Sequence, residues 1–129
     1  MIEASFAKTG YENSIQSTGS DRGIEYQIFA QITRLLSNMN TDAPDYFAKL
    51  SDALHKNLRL WTVLAVDVAN DNNPLPADLR SSLFYLAEFT RKHTAKVYAG
   101  EADPKILVDI NMSVMKGLRA QTPNEDTQS

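Results

Sequence analysis

The sequence predicts an all-α fold, a bundle of four main helices with short connections. Three observations carry that reading. Apolar residues recur at spacings of three and four along four separate stretches. Proline, glycine and Asx clusters punctuate the chain between those stretches. No alternation of period two persists, and no hairpin turn signal sits between two β-rich runs. Short connections make sequential helices antiparallel neighbours. The chain of 129 residues divides on this basis into an N-terminal arm at 1–19, a helical bundle domain at 20–119 and a tail at 120–129.

Residues 1–19 mix Ser, Thr, Gly and Asn without a period and are expected to form a flexible arm. Phe6, Tyr11 and Ile15 are the groups by which that arm would dock on the body. The first helix is expected to start at Ser20 or Asp21, whose side-chain oxygens suit a helix N-terminus. Ile24, Ile28, Ile32 and Leu35 make its apolar face, with Phe29 and Leu36 flanking. Gly23 weakens its start slightly.

A polar connection at 38–43 leads to Pro44, expected in the first turn of the second helix, with Asp45 facing the positive helix end. This helix runs to about Asn70 and contains the densest apolar run, at 50–68, and the only tryptophan. At about 100° per residue, Leu50, Leu54, Trp61, Leu64, Ala65 and Val68 fall on one stripe, with Asn57 in its middle. Trp61 is therefore read mainly as a core residue. The opposite face carries Lys49, Asp52, His55, Lys56 and Arg59, and then admits Val63 and Val66. A helix apolar on one side at its start and nearly all round at its end belongs at the centre of a bundle.

The run Asn70, Asp71, Asn72, Asn73, Pro74 is a strong stop signal. The third helix restarts at Pro76, with Asp78 in its first turn, and runs to about Ala99. Leu79, Leu83, Leu86, Thr90, His93 and Val97 share a face edged by Ala87 and Phe89. Gly100 is placed to terminate it. Asp103 and Pro104 form the N-cap and first position of the fourth helix. Its stripe is Leu107, Asn111, Val114, Met115 and Leu118. Beyond Gly117 the chain turns polar and is expected to be disordered.

Composition narrows function. A hydrophobic fraction of 43%, a charged fraction of 22% and a net charge of −3 describe an ordinary globular domain with no electrostatic case for nucleic acid or anionic membrane. The absence of cysteine removes disulfides, Cys-based zinc sites and thiol catalysis. No signal peptide is discernible, and the longest apolar run, at 58–69, is interrupted by Arg59 and Asp67. A soluble cytoplasmic protein is the expectation.

The motifs of catalysis are missing as well. His55 sits on a charged face and reads as a surface residue. His93 lies within an apolar face and reads as a hydrogen-bonded structural histidine. Neither stands at metal-ligand spacing, no phosphate-binding glycine loop occurs, and no serine occupies a nucleophile elbow. Neither an enzyme nor a cofactor is expected. Lys49, Lys56 and Arg59 on one side of the second helix, and Arg91, Lys92 and Lys96 late in the third, have only the weak aromatic interleaving of Phe84, Tyr85 and Tyr98, which lie off the main stripe. These basic groups read as solvated faces.

Two features exceed a plain bundle. Asn57 and Asn111 each occupy the centre of an apolar stripe, where an unpartnered amide costs roughly 1–3 kcal/mol. Pairing across the second and fourth helices would satisfy both and set helix register, so Asn57, Asn111 and His93 form the expected structural polar core. Val63, Val66, Phe84 and Tyr85 lie off the stripes. With Arg59 they form the candidate partner-binding set, as a groove edge for a partner helix.

Several strings together resemble the FlaF family of flagellar biosynthesis regulators of alphaproteobacteria. They are NLRLW at 57–61, PLPADLRSSL at 74–83 and INMSVMKGL at 110–118. DRGIEYQIFAQITRLL at 21–36 is similar to the family's Arg-x-x-Glu opening and following apolar helix, and Tyr11 to a tyrosine ahead of it. Ser20 and Asp21 stand where the family often has Ser-Pro, and Gly23 follows Arg22. The similarity covers most of residues 11–118, in order.

The resemblance implies a cytoplasmic accessory factor, without enzymatic activity, needed for flagellin synthesis or secretion. It also implies action alongside FlbT, the flagellin repressor tied to flagellin mRNA. The leading expectation is a flagellin-binding export chaperone or adaptor that holds flagellin's amphipathic terminal helices in a groove. The alternative is a post-transcriptional regulator acting through a FlbT-like repressor or flagellin mRNA. Net charge disfavours direct nucleic-acid binding in that alternative. A homo-oligomer that buries the apolar surplus at a self-interface is a further arrangement.

Overall fold

The computed structural model describes residues 26–121, with side chains placed through Arg119. The expected arm, the start of the first helix at Ser20 or Asp21, and Ile24 lie outside the described residues. Within them are four helices, α1 (Tyr26–Ser37), α2 (Tyr46–Ala69), α3 (Ala77–Tyr98) and α4 (Lys105–Gln121), and no strand.

The helices close into a four-sided bundle. α2 packs on α3, α1 on α2, α4 on α1 and, more sparsely, α3 on α4, so α2 and α4 stand diagonally opposite. Neighbours run antiparallel. The start of α3 meets the end of α2 through Arg80 and Asn70, and the end of α3 meets the start of α2 through Tyr98 and Ser51. The end of α4 reaches the start of α1, where the Arg119 guanidinium lies 5.9 Å from the Tyr26 ring centroid.

The core forms where the stripes converge. Phe29, Leu54, Trp61 and Leu107 are sealed from solvent, and the Phe29 and Trp61 rings meet edge to face at 5.7 Å and 87°. In α2, Leu50, Leu54, Asn57, Trp61, Leu64 and Val68 are all buried, and Ala65 is half-buried. All five residues of the α4 stripe are buried.

α1 departs from expectation. Its buried face is Ile28, Phe29, Ile32, Thr33 and Leu36, while Leu35 is 43% exposed. Contact with Trp61 makes Phe29 the centre of the face instead of its flank, which rotates Leu35 outward. Thr33 takes a buried place because its Oγ1 donates to the Phe29 carbonyl at 2.6 Å, leaving no polar atom unmatched. In α3 the buried residues are Leu83, Ala87, Thr90, Thr94 and Val97. Thr94, absent from the expected stripe, is tolerated for the same reason, donating to the Thr90 carbonyl at 2.6 Å. Phe89, an edge residue, is 37% exposed.

The helix ends follow chemistry. Pro44 lies just before α2 instead of in its first turn, and Asp45 is the N-cap, with no side-chain capping bond. Pro76 is likewise the N-cap position of α3 and not its first residue, with Asp78 in the first turn. Asp103 caps α4 through Oδ1, which accepts from Lys105 N at 2.9 Å. Gly100 adopts φ +76°. Glu101 N donates to Lys96 O at 2.8 Å and Gly100 N to Val97 O at 3.0 Å, the paired bonds of a Schellman stop. α4 continues through Gln121, two residues into the expected tail. Nothing after Gly117 in that stretch forbids a helix, and Leu118 is still buried.

The stop signal at 70–76 is a built turn. Asn70 Oδ1 accepts from Asn72 N at 2.8 Å and Asn73 Oδ1 from Leu75 N at 2.9 Å, both Asx turns. Arg80 reaches back from α3 to donate to the carbonyls of Asn70 (2.9 Å) and Val68 (3.4 Å), which caps the negative end of α2. Leu75, buried beneath, anchors the turn.

Candidate functional site

The polar core is a chain of three side chains across the bundle diagonal. Trp61 Nε1 donates to Asn111 Oδ1 at 2.9 Å, and Asn111 Nδ2 donates to Asn57 Oδ1 at 2.8 Å. Asn57 and Asn111 are completely buried, and the bonds join α2 to α4, which share few backbone contacts. Trp61 is the member that sequence reasoning missed as a polar partner. An indole N–H buried at stripe centre needs an acceptor, and that is the signal that could have found it.

One face of this layer is incompletely satisfied. Asn57 Nδ2 and the Thr90 hydroxyl are sealed from solvent without hydrogen-bond partners. The antiparallel register fixed by Tyr98–Ser51 and Arg80–Asn70 puts Thr90 and Thr94 on α3 at the level of Asn57 on α2. The bundle therefore carries a polar stratum at mid-height.

His93 lies at the edge of the core. It is half-buried, its ring stacks on Phe89 at 5.6 Å, and Nε2 lies 2.9 Å from the Asp103 carbonyl. A carbonyl can only accept, so Nε2 carries the proton. The bond ties α3 to the N-terminus of α4. Among the described residues no group of three or more His, Cys, Asp or Glu side chains is placed to hold a metal ion.

The five candidate partner residues fall into two kinds. Val66, Phe84 and Tyr85 are exposed by 70%, 44% and 68%. Val66 lies about 180° from the centre of the α2 core stripe and Tyr85 almost as far from that of α3. Because Arg80 grips the end of α2, Val66 and the pair Phe84–Tyr85 stand at the same level of two packed helices. Val63 and Arg59, about one and two turns further down the outer side of α2, are half-buried. Phe47 (79% exposed) and Tyr98 (54%) add aromatic surface at the opposite end of the same helix pair, where Tyr98 reaches Ser51. Neither belongs to the candidate partner-binding set.

Burial raises the Asp67 carboxyl above its ordinary value of 3.8, and the hydrogen bond from Asn73 opposes that rise. Asn73 Nδ2 donates to both Asp67 Oδ2 and the Asp67 carbonyl at 3.1 Å, so the group serves the α2–α3 turn.

The described residues thus form a four-helix bundle with a polar layer inside and exposed aromatic and aliphatic side chains outside. No helix among the described residues is long and apolar enough to cross a membrane. The family model described as flagellar protein FlaF matches residues 7–118. The chain belongs to the FlaF family and is a flagellar protein. No curated protein and no solved structure matches it.

Proposed function

We propose that this chain is a non-enzymatic, cytoplasmic flagellin-binding factor, an export chaperone or adaptor in flagellum biogenesis. The observation that carries the reading is the exposed set Val66, Phe84 and Tyr85 on the outer faces of α2 and α3. Large apolar side chains gathered at one level of two packed helices offer a shelf for the apolar face of an amphipathic helix. Flagellin's terminal segments, as the family resemblance implies, present such helices before assembly. Arg59 and Val63 flank the shelf on α2, where a cation can meet an acidic residue of the bound helix.

The test is calorimetric titration of purified flagellin into this protein. Micromolar binding is expected. The double substitution Val66→Asp, Tyr85→Asp is expected to weaken it at least tenfold while thermal unfolding stays within about 1 kcal/mol, since both positions are outward. No binding by the unsubstituted chain, or full binding by the variant, would reject the shelf. The second reading, regulation through flagellin mRNA, requires binding that falls steeply with salt. With a net charge of −3, retention of flagellin RNA is not expected even at low salt. A FlbT-like repressor would instead bind as a protein, and the same double variant reports whether it uses this shelf.

A further inference from the structure

α3 carries a second stripe, on its outer side. Asp78, Ser82, Tyr85, Phe89, Lys92 and Lys96 follow one another at spacings of four, three, four, three and four. At about 100° per residue they fall within roughly 40° of one line, which runs about 140° from the centre of the buried α3 face. All six are exposed. A repeat of this period is that of a helix seam that meets another helix. Asp78, Lys92 and Lys96 take no part in the ion pairs among the described residues. Phe89 is held in place, since its ring stacks on His93 and His93 is tied to the Asp103 carbonyl.

We propose that this stripe pairs α3 with α3 of a second copy of the chain, antiparallel. The stripe is complementary to itself. A two-fold axis at the level of Ala87 sets each residue against the one equally far beyond it. Tyr85 then faces Phe89 of the second copy, two residues either side of the axis, and the contact occurs twice. Asp78 faces Lys96, nine residues either side, again twice. Between these layers the small Ser82 faces Lys92, whose ammonium lies about one turn from the same Asp78. Unlike charges at the two ends and rings at the centre match only when one copy is reversed, because a parallel pair would set Asp78 on Asp78 and Lys96 on Lys96. Ile106, exposed near the level of Phe89, widens the apolar centre on the α4 side. A seam of six residues a side is far smaller than the roughly 20–30 of a standard interface, so the dimer is reversible, with micromolar dissociation. Tyr85 also belongs to the flagellin shelf, so self-pairing and helix capture exclude each other at that ring. That consequence rests on the flagellin reading, and the dimer does not.

Sedimentation equilibrium of the full chain, without flagellin, tests the pairing. The unsubstituted chain is expected to dimerise reversibly in the micromolar range. Asp78→Lys sets like charges at both outer contacts, and so does Lys96→Asp, so each variant alone is expected to dissociate at least tenfold more readily. An equimolar mixture of the two restores both contacts and is expected to recover the dimer, which a misfolded variant could not do. The absence of cysteine adds a reading of register. Chains carrying Ser82→Cys and chains carrying Lys92→Cys are expected to crosslink when mixed under mild oxidation. Either alone is not, since its two copies lie ten residues, about 15 Å, apart along the seam. A chain that stays monomeric throughout the micromolar range would overturn the proposal, as would a dimer that neither substitution weakens or a mixture that does not recover. Crosslinking of Ser82→Cys chains with one another as fast as with Lys92→Cys chains would reject the antiparallel register. With no flagellin in the sample, each result is independent of the flagellin titration.

Discussion

At the scale of single residues, the polar core separates what the sequence tells from what it hides. Two asparagines at the centres of apolar stripes point to each other, because burial without partners is costly for each. The bond from Asn111 to Asn57 at 2.8 Å is of that kind. The indole of Trp61 was invisible as the third member, since periodicity places its ring in the core but does not aim its N–H. The geometry ranks the substitutions. Asn111→Ala orphans both Trp61 Nε1 and Asn57 Oδ1, whereas Asn57→Ala orphans only Asn111 Nδ2 and also removes a buried amide nitrogen that lacks an acceptor. At about 1–3 kcal/mol per stranded group, Asn111→Ala should cost about 3 kcal/mol or more, and Asn57→Ala clearly less. Urea unfolding of the two variants checks the order, and equal losses would contradict it. Asp67 makes a second prediction. Its folded carboxyl titrates above the unfolded value, so the folded chain holds the proton more tightly. That contribution is complete below the unfolded value of 3.8 and is lost as pH rises through the raised folded one. Asp67→Asn keeps an oxygen acceptor for Asn73 and removes the carboxylate. Its melting temperature should therefore fall less than that of the unsubstituted chain between about pH 4 and pH 7.

Elements are legible to the extent that their signals are local. The boundary near Gly100 could be read because a left-handed residue is needed there, and the Schellman bonds from Gly100 and Glu101 use it. The cap at Asp103 is equally local, its Oδ1 meeting an N–H two residues on. The α1 face was misjudged for the opposite reason. Which of Phe29 and Leu35 points inward depends on where Trp61 stands, a tertiary fact that spacing within α1 does not contain. The end of α4 was set too early because the chain turns polar beyond Gly117, yet that glycine lies inside the helix. These two glycines give opposed predictions. A Cβ at either meets nothing within 4 Å, so only backbone conformation decides. Gly100→Ala puts a side chain at φ +76° and should cost roughly 1–2 kcal/mol. Gly117→Ala replaces a helix-interior glycine and should stabilise by roughly 0.5–1 kcal/mol. Thermal denaturation distinguishes the signs, and a stabilising Gly100→Ala would be incompatible with the Schellman stop.

At the scale of the whole molecule, four stripes and short connections were enough to specify a four-helix bundle, because each stripe must be buried and short links leave antiparallel packing as the simplest way. The candidate surface was only partly legible. Spacing placed Val66, Phe84 and Tyr85 off the stripes and could not know that Arg59 and Val63, equally off-stripe, are half-covered. What periodicity leaves open is register, since hydrophobic burial is non-directional and adjacent registers bury similar area. The diagonal bonds from Trp61 through Asn111 to Asn57 fit one register, for any sliding of α2 past α4 breaks both. A buried polar pair that fixes register is the best-attested role of such groups. Replacing both asparagines by leucine, of the same branched shape, removes that restriction and leaves the indole N–H without its acceptor. The double variant should retain its far-UV helicity, while the single Trp61 indole resonance broadens or splits in a nitrogen-correlated spectrum. Near-UV dichroism from the same ring should weaken in parallel. One sharp indole signal at full helicity would mean that side-chain packing alone sets the register and that the polar diagonal is a consequence of the fold instead of a determinant of it.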